Sequence, residues 1–343
     1  MTLGALLSDP AQGRLTEFLR RQYPELERLE ILELTELVES WETDLFRLQL
    51  TATQNGAPEI VELVLRLYKG NDPLEQAQKE FSLMKDVKRF GVATPRVDAL
   101  VTDRSILQHP FIVMEYISGG TLETRIGSDG VSQWLDPMLE ALVRIHDVPW
   151  VELLPKPEMP LPRLDEPLVY VGGLLDEMDL VIERHGLDGY EPTMGWLRER
   201  EALGSSTQPV LIHNDYHPQN ILVREDLLVV IDWSFAEIGD FRMDLAWSTL
   251  LLDVMVGGGY RAAMLEAYEQ AADTHIENFE FFEALKFTMR MVTIGMWLDE
   301  AVVIPVAGIT RHAIRTDYKV HVLNPYHRLK EITGLEIPTI EEL

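Results

Sequence analysis

Cysteine is missing from all 343 residues, so neither a disulfide framework nor a thiolate metal centre can be built. Basic residues are scarce. Only 30 Lys and Arg stand against 57 Asp and Glu, for a net charge of −27. A surface of that sign repels phosphate backbones, which makes nucleic acid a poor partner, and it favours cationic ligands. No apolar run is long enough to span a bilayer: the longest, around Leu245–Val256, is interrupted by Ser248, Thr249 and Asp253. The opening MTLGALLSDPAQ has neither the positive start nor the apolar stretch of a secretory leader. Internal repeats and low-complexity tracts are also lacking. A hydrophobic content of 46% with 25% charged residues is that of a soluble globular protein, expected in the cytoplasm and off the membrane. The length allows one two-lobed unit or two modest domains.

The most informative stretch is LIHNDYHPQNILVREDLLVVIDWSFAEIGDFRMDLAW, Leu211–Trp247. Its apolar runs at 210–212, 221–223 and 227–231 read as short buried strands. Asp215, Asn220 and Asp232 therefore fall at strand ends and in the turn between, where a rigid scaffold presents side chains to a cleft. Transfer of phosphate from a metal-bound nucleotide needs such groups: one carboxylate to receive a hydroxyl proton, an amide and a second carboxylate for metal. His213 and His217 are four apart, but Pro218 and the strand-like flanks deny them the shared helical face that a zinc pair needs.

The series His213-x-Asp215, Asn220, Ile231-Asp232-Trp233, Gly239-Asp240 and Asp244-Leu245-Ala246 closely resembles the catalytic core of the aminoglycoside phosphotransferase family. That family has a protein kinase-like α+β fold and includes choline, homoserine and methylthioribose kinases. The resemblance, which runs from about Ile31 to Leu252, implies Asp215 as the base. It implies Asn220 and Asp232 as ligands of Mg2+, and His213, Asp240 and Asp244 as braces of the loop. The donor would be ATP, with GTP as the alternative. The acceptor would be a small-molecule hydroxyl compound; the acidic composition leaves room for a cationic one, although such acidity more often serves solubility alone. Hard oxygen donors suit magnesium, which keeps several waters and needs few protein groups.

Other kinase parts are expected upstream. LFRLQLTA (45–52) and EIVELVLRLY (59–68) read as a hairpin joined at Gln-Asn-Gly-Ala (54–57). By resemblance the second strand carries the phosphate-pairing cation, here Arg66 rather than Lys69, since arginine forks onto phosphate oxygens. A helix from about Leu74 to Phe90, with Ala77, Phe81, Met84 and Val87 at helical spacing, would supply Glu80 as the partner of Arg66. FIVMEYISGGTL (111–122) resembles the hinge, whose backbone at Glu115 and Ile117 would meet the adenine edge.

Four departures separate the chain from protein kinases or from a tight nucleotide binder. Asn214 stands where protein kinases commonly place arginine, and Trp233-Ser234 follow Asp232 in place of Phe-Gly. Eight positions from Asp232 to Asp240 leave no room for a long regulatory loop. The candidate phosphate-covering loop LVESWETDL (37–45) has no glycine and carries Glu39, Glu42 and Asp44, although Ser40 and Thr43 offer hydroxyls and Trp41 a cap. A nucleotide-binding protein without turnover is therefore the alternative to a small-molecule kinase.

The expected organisation is a small β-sheet lobe over 1–117, with a helical extension to about 25, and a larger helical lobe over 118–343. In the second lobe a helix is read near 131–147, closing with a structural His146. An irregular five-proline connection follows at 153–167, and then mainly helices over 168–203 and 244–330. Gly257-Gly258-Gly259 separates two of these helices without forming a phosphate loop, because no strand precedes it. Near 287–303, Trp297 with Asp299 and Glu300 reads as a buried Trp beside a solvated turn in preference to a seat for an aminated ring.

Overall fold

The computed structural model describes residues 9–39, 43–153, 161, 165–206, 208–304 and 309–343. Most of the proline-rich connection (154–160 and 162–164) and Ser40, Trp41 and Glu42 of the candidate phosphate loop lie outside the described residues. The chain divides into two units. The first runs through Arg89 and resumes over Ala93–Ser118, and the second holds most of the chain from Gly119 onward.

In the first unit, helix α1 (Asp9–Gln22) precedes strands β1 (Glu27–Glu39), β2 (Thr43–Gln54) and β3 (Ala57–Tyr68). Helix α2 (Pro73–Arg89) and strands β4 (Val97–Val101) and β5 (Phe111–Glu115) follow. The strands form one antiparallel sheet in the order β1-β2-β3-β5-β4. The β2–β3 hairpin closes on Asn55-Gly56, with φ of 51° and 80°. Two successive left-handed residues give the turn whose twist matches its strands, and Asn-Gly tolerates them best.

Side chains alternate across a strand. Phe46, Leu48 and Leu50 of β2, Leu63, Leu65 and Leu67 of β3, and Phe111 and Val113 of β5 share a core with Leu15 and Leu19 of α1. Arg66, between Leu65 and Leu67, is thereby turned to the opposite face, where it meets Glu80 among the buried residues of α2. Covering on both faces explains why β3 is buried without a break from Leu63 to Tyr68.

The second unit opens with β6 (Gly120–Thr121) and helices α3 (Leu122–Asp129), α4 (Val131–His146), α5 (Val169–His185) and α6 (Glu191–Glu199). Strands β7 (Val210–Ile212), β8 (Ile221–Arg224), β9 (Leu227–Val230) and β10 (Glu237–Gly239) come next. Helices α7 (Phe241–Val256), α8 (Arg261–Ala272), α9 (Phe279–Leu298) and α10 (Lys319–Thr333) follow, with short helices at Arg311–Arg315 and Pro338–Glu341. The strands make two small antiparallel sheets, β6-β8-β9 and β10-β7. The core gathers Tyr170 and Leu174 of α5, Met243 and Leu250 of α7, Phe282, Phe287 and Met291 of α9, and Tyr326 of α10. Helix α9 is buried on nearly every side, which its run of Phe, Leu, Met and Ile allows. Among the described residues no helix is long and apolar enough to cross a membrane.

Candidate active site

Two groups of polar side chains stand out, one in each unit. In the first, Arg66 Nε lies 3.2 Å from Glu80 Oε2, and both side chains are almost fully buried. Tyr68, two residues along the same face of β3, donates its hydroxyl to Glu80 Oε2 at 2.6 Å. Lys69, the other cation considered for this strand, is engaged elsewhere: its Nζ lies 2.6 Å from Oδ1 of the fully buried Asp44. Asp44 belongs to β2, and its charge is neutralised by that pairing, so it is not an open carboxylate. At the end of β5 the Glu115 carboxylate accepts the Arg96 N–H at 3.1 Å, and Ile117 is buried.

In the second unit the turn between β7 and β8 carries His213, Asp215, His217 and Asn220. Both oxygens of the half-buried Asp215 are held: Oδ1 accepts Trp247 Nε1–H at 2.9 Å, and Oδ2 accepts Asn220 Nδ2–H at 2.9 Å. Asn220 Nδ2 also reaches the Asp215 carbonyl at 3.0 Å. The Asn220 carbonyl accepts the Ile231 N–H at 2.9 Å, in step with the Ile221–Val230 pair of the β8–β9 hairpin. The antiparallel register thus brings Asn220 and Asp232 to the same hairpin end. Asp232 adopts φ of 62°, in the left-handed region that non-glycine residues seldom enter and that aspartate tolerates better than most. Ser234 Oγ–H bonds Asp232 Oδ1 at 2.9 Å.

Behind this hairpin end lies the fully buried Asp244 in the first turn of α7. Its carboxylate accepts the His213 and Asn214 N–H groups at 2.7 and 2.5 Å and meets His146 Nε2 at 3.2 Å. Burial alone would raise its pKa, but the hydrogen bond and charge of His146 and the His213 N–H outweigh it and hold the value below the usual carboxylate range. His146, at the end of α4, is bonded on its other nitrogen to Tyr268 Oη at 2.8 Å and so acts as a strut. His213 donates from Nε2 to the Ile231 carbonyl at 3.0 Å, and burial pushes its pKa down, keeping it neutral despite Asp244, Asp215 and Asp232 nearby. His217 is spent locally: its Nδ1 accepts the Gln219 N–H at 3.3 Å, and its Nε2 lies 3.5 Å from Asp215 Oδ2. Asp240 caps α7 by accepting the Arg242 N–H at 2.9 Å and pairs with the buried Arg242 guanidinium at 2.7 Å. Gly239 before it lies where any larger residue would force its neighbours to move. A Cβ there would stand 2.5 Å from Tyr170 Oη.

The donor set suits magnesium. Asn220 directs its amide nitrogen to Asp215, which leaves its amide oxygen, a hard ligand, without a claim from that carboxylate, while Asp232 sits at the same hairpin end. Among the described residues no three carboxylate or imidazole groups form an ion cage. Magnesium held by one or two protein oxygens, with phosphate and water completing its shell, needs none.

Several neighbours of Asp215 were not singled out in the sequence. Trp247 grips Asp215 from α7, one turn beyond Asp244. Lys286 and Arg290, on one face of α9, place their cationic ends 5.4 and 5.8 Å from the centre of the Trp247 ring. Lys286 Nζ donates to Asn214 Oδ1, and Asn214 Nδ2 donates to Glu237 at 3.3 Å. Burial pulls the Lys286 pKa down, against the carboxylates of Asp244, Glu237 and Asp215, and pulls that of Arg290 down against Asp215. At the far end of α9, Trp297 is buried, while Asp299 accepts the Ala301 N–H and lies 3.5 Å from His185 Nδ1. A cavity of about 540 Å³ opens between α7, α9 and α10, but its charged lining pairs with itself, Arg261 and Arg328 both on Glu283.

An antiparallel sheet with a buried Arg–Glu pair, followed by a catalytic-type hairpin backed by helices, is the architecture of kinase-like phosphotransferases. Residues 33–282 match the model of the Phosphotransferase enzyme family, and the chain belongs to that family. It is 27% identical over 208 residues to mouse acyl-CoA dehydrogenase family member 10, a match covering 55% of this chain but 18% of that relative's length. In fold it is similar to the macrolide 2'-phosphotransferase MphH of Brachybacterium faecium, with a TM-score of 0.58 and 16% identity over 93% of this chain and 97% of that one. It is likewise similar to the amicoumacin kinase hAmiN, solved with AMP-PNP, Ca2+ and amicoumacin, with a TM-score of 0.57 and 9% identity over 94% and 96% of the two chains.

Proposed function

We propose that the protein is an ATP- and Mg2+-dependent small-molecule kinase of the cytoplasm, with GTP the alternative donor. The observation that carries this reading is the immobilised Asp215, bonded on both oxygens by Trp247 and Asn220 at the end of the hairpin that bears Asp232. A carboxylate fixed in this way can orient an acceptor hydroxyl and take its proton as the oxygen attacks the γ-phosphorus. The new O–P bond forms while the bond to the departing nucleoside diphosphate oxygen breaks. Magnesium, when bound, offsets charge on the phosphates. Asn220 and Asp232 are its proposed ligands. Arg66, oriented by Glu80, is the proposed phosphate contact, and the backbone at Glu115 and Ile117 the proposed seat of the adenine edge. His213, Asp240 and Asp244 hold the loop in shape.

Stopped assays on two variants test the assignment. Asp215→Ala should lower kcat by a factor of about 10² to 10⁴, the usual contribution of a general base, while ATP affinity stays within about threefold, a small change in binding energy. Asp232→Ala should also weaken magnesium-dependent ATP binding, measured by thermal shift with and without the ion. Near-normal transfer by Asp215→Ala would remove the base from its role.

A further inference from the structure

The acidic composition favours cationic ligands at long range, yet the groups beside Asp215 with unspent donors carry the opposite charge. The carboxylates here are already committed. Asp215 is bonded by Trp247 and Asn220, Glu237 by Tyr170 at 3.3 Å and by Asn214, and Asp244 by two backbone N–H groups and His146. Lys286 spends one of its three donors on Asn214. Arg290 donates no hydrogen bond among the described residues: its guanidinium lies against the rings of Trp247 and Trp297, at 5.8 and 5.3 Å, and feels the Asp215 charge. Its five N–H donors are open to solvent and to an incoming acceptor. A carboxylate or phosphate group matches their planar fork.

We propose that Arg290, assisted by Lys286, is the specificity-determining element of the acceptor site, and that the acceptor is a small hydroxyl compound carrying an anionic group. The proposal rests on the kinase reading above and narrows it. The anionic end docks on the Arg290 fork and the aromatic edge of Trp247, and the hydroxyl is left toward Asp215. Because Trp247 touches both the cations and the Asp215 carboxylate, docking and proton transfer share one rigid side chain.

The test compares acceptors that differ by one charge. ATP, Mg2+ and the full chain are incubated with 3-hydroxybutyrate or its methyl ester, glycerate or glycerol, glycerol 3-phosphate, and choline. Phosphorylated products are read by phosphorus NMR. Expected is a kcat/KM at least tenfold higher for an acid or phosphate than for its uncharged counterpart, and the better of the two anion types identifies the headgroup. Arg290→Gln should erase that preference through KM, with kcat within threefold, and Arg290→Lys should restore part of it. A purely structural role would instead lower the melting temperature and kcat for every acceptor alike. Transfer to choline, glycerol or the ester as efficient as to the anions overturns the proposal, and so does charge discrimination that survives Arg290→Gln. Should Arg290→Gln fail to fold, the acid-to-ester ratio of the unaltered protein decides. Binding of ATP and its slow Asp215-dependent hydrolysis, with transfer to none of the anions, overturns the proposal and leaves the kinase reading standing. Absence of any ATP binding removes both.

Discussion

At the residue scale, the groups that were legible in the sequence are those whose partners lie close along the chain. Asp215 and Asn220 are five apart and bonded, and Asp240 caps the helix that begins at the next residue. Trp247, Lys286 and Arg290 were not legible, because what turns them toward Asp215 is the packing of α7 against α9, over sequence distances that no local pattern spans. Arg66 and Glu80 were paired in advance only through the resemblance; strand alternation alone would have made Arg66 a surface cation. His213 carries a pH consequence. Burial depresses its folded-state pKa, so as pH falls below the unfolded value of about 6.5 the unfolded chain takes up a proton that the folded chain refuses. Its contribution to stability is complete above that pH and is lost on acidification through the folded value. The urea midpoint should therefore drop between pH 7.5 and 5.5, and by less in His213→Asn. An equal drop in both would exonerate this imidazole.

At the element scale, strand and helix types followed from alternation and from apolar spacing, and the Asn55-Gly56 turn announced its hairpin. The double covering of β3 was harder to read. A strand buried on both faces looks like any apolar run until the helices that cover it are known. The β10–β7 pairing depends on the smallest residue in its path, since a Cβ on Gly239 would stand 2.5 Å from Tyr170 Oη and 2.9 Å from the Ile212 side chain. Gly239→Ala should displace Tyr170 from Glu237 and cost about 1–3 kcal/mol, the usual penalty for overpacking. Equilibrium urea unfolding reads that cost, and a change below about 0.5 kcal/mol, typical of tolerant surface positions, would show that the backbone can give way.

At the scale of the whole molecule, −27 charges on 343 residues repel one another. Salt shortens the reach of that repulsion from about 30 Å at 0.01 M to about 8 Å at 0.15 M. Calorimetric melting temperatures should rise as sodium chloride increases from 10 to 150 mM, and a fall would mean that attractive pairs such as Arg198 with Asp176 and Asp179 dominate. The same global charge invited the expectation of a cationic acceptor, whereas the immediate surroundings of Asp215 include two cations that composition cannot locate.

The left-handed backbone at Asp232 sets durability against activity. Glycine would occupy that φ of 62° without the steric penalty of a side chain, at most about 1–2 kcal/mol and smallest for Asn and Asp. Asp232→Gly is therefore expected to be a hardier protein that no longer works. Calorimetric melting of Asp232→Gly beside its transfer assay reads the two halves of that exchange, and a melting temperature no higher than that of the unaltered protein would refute it.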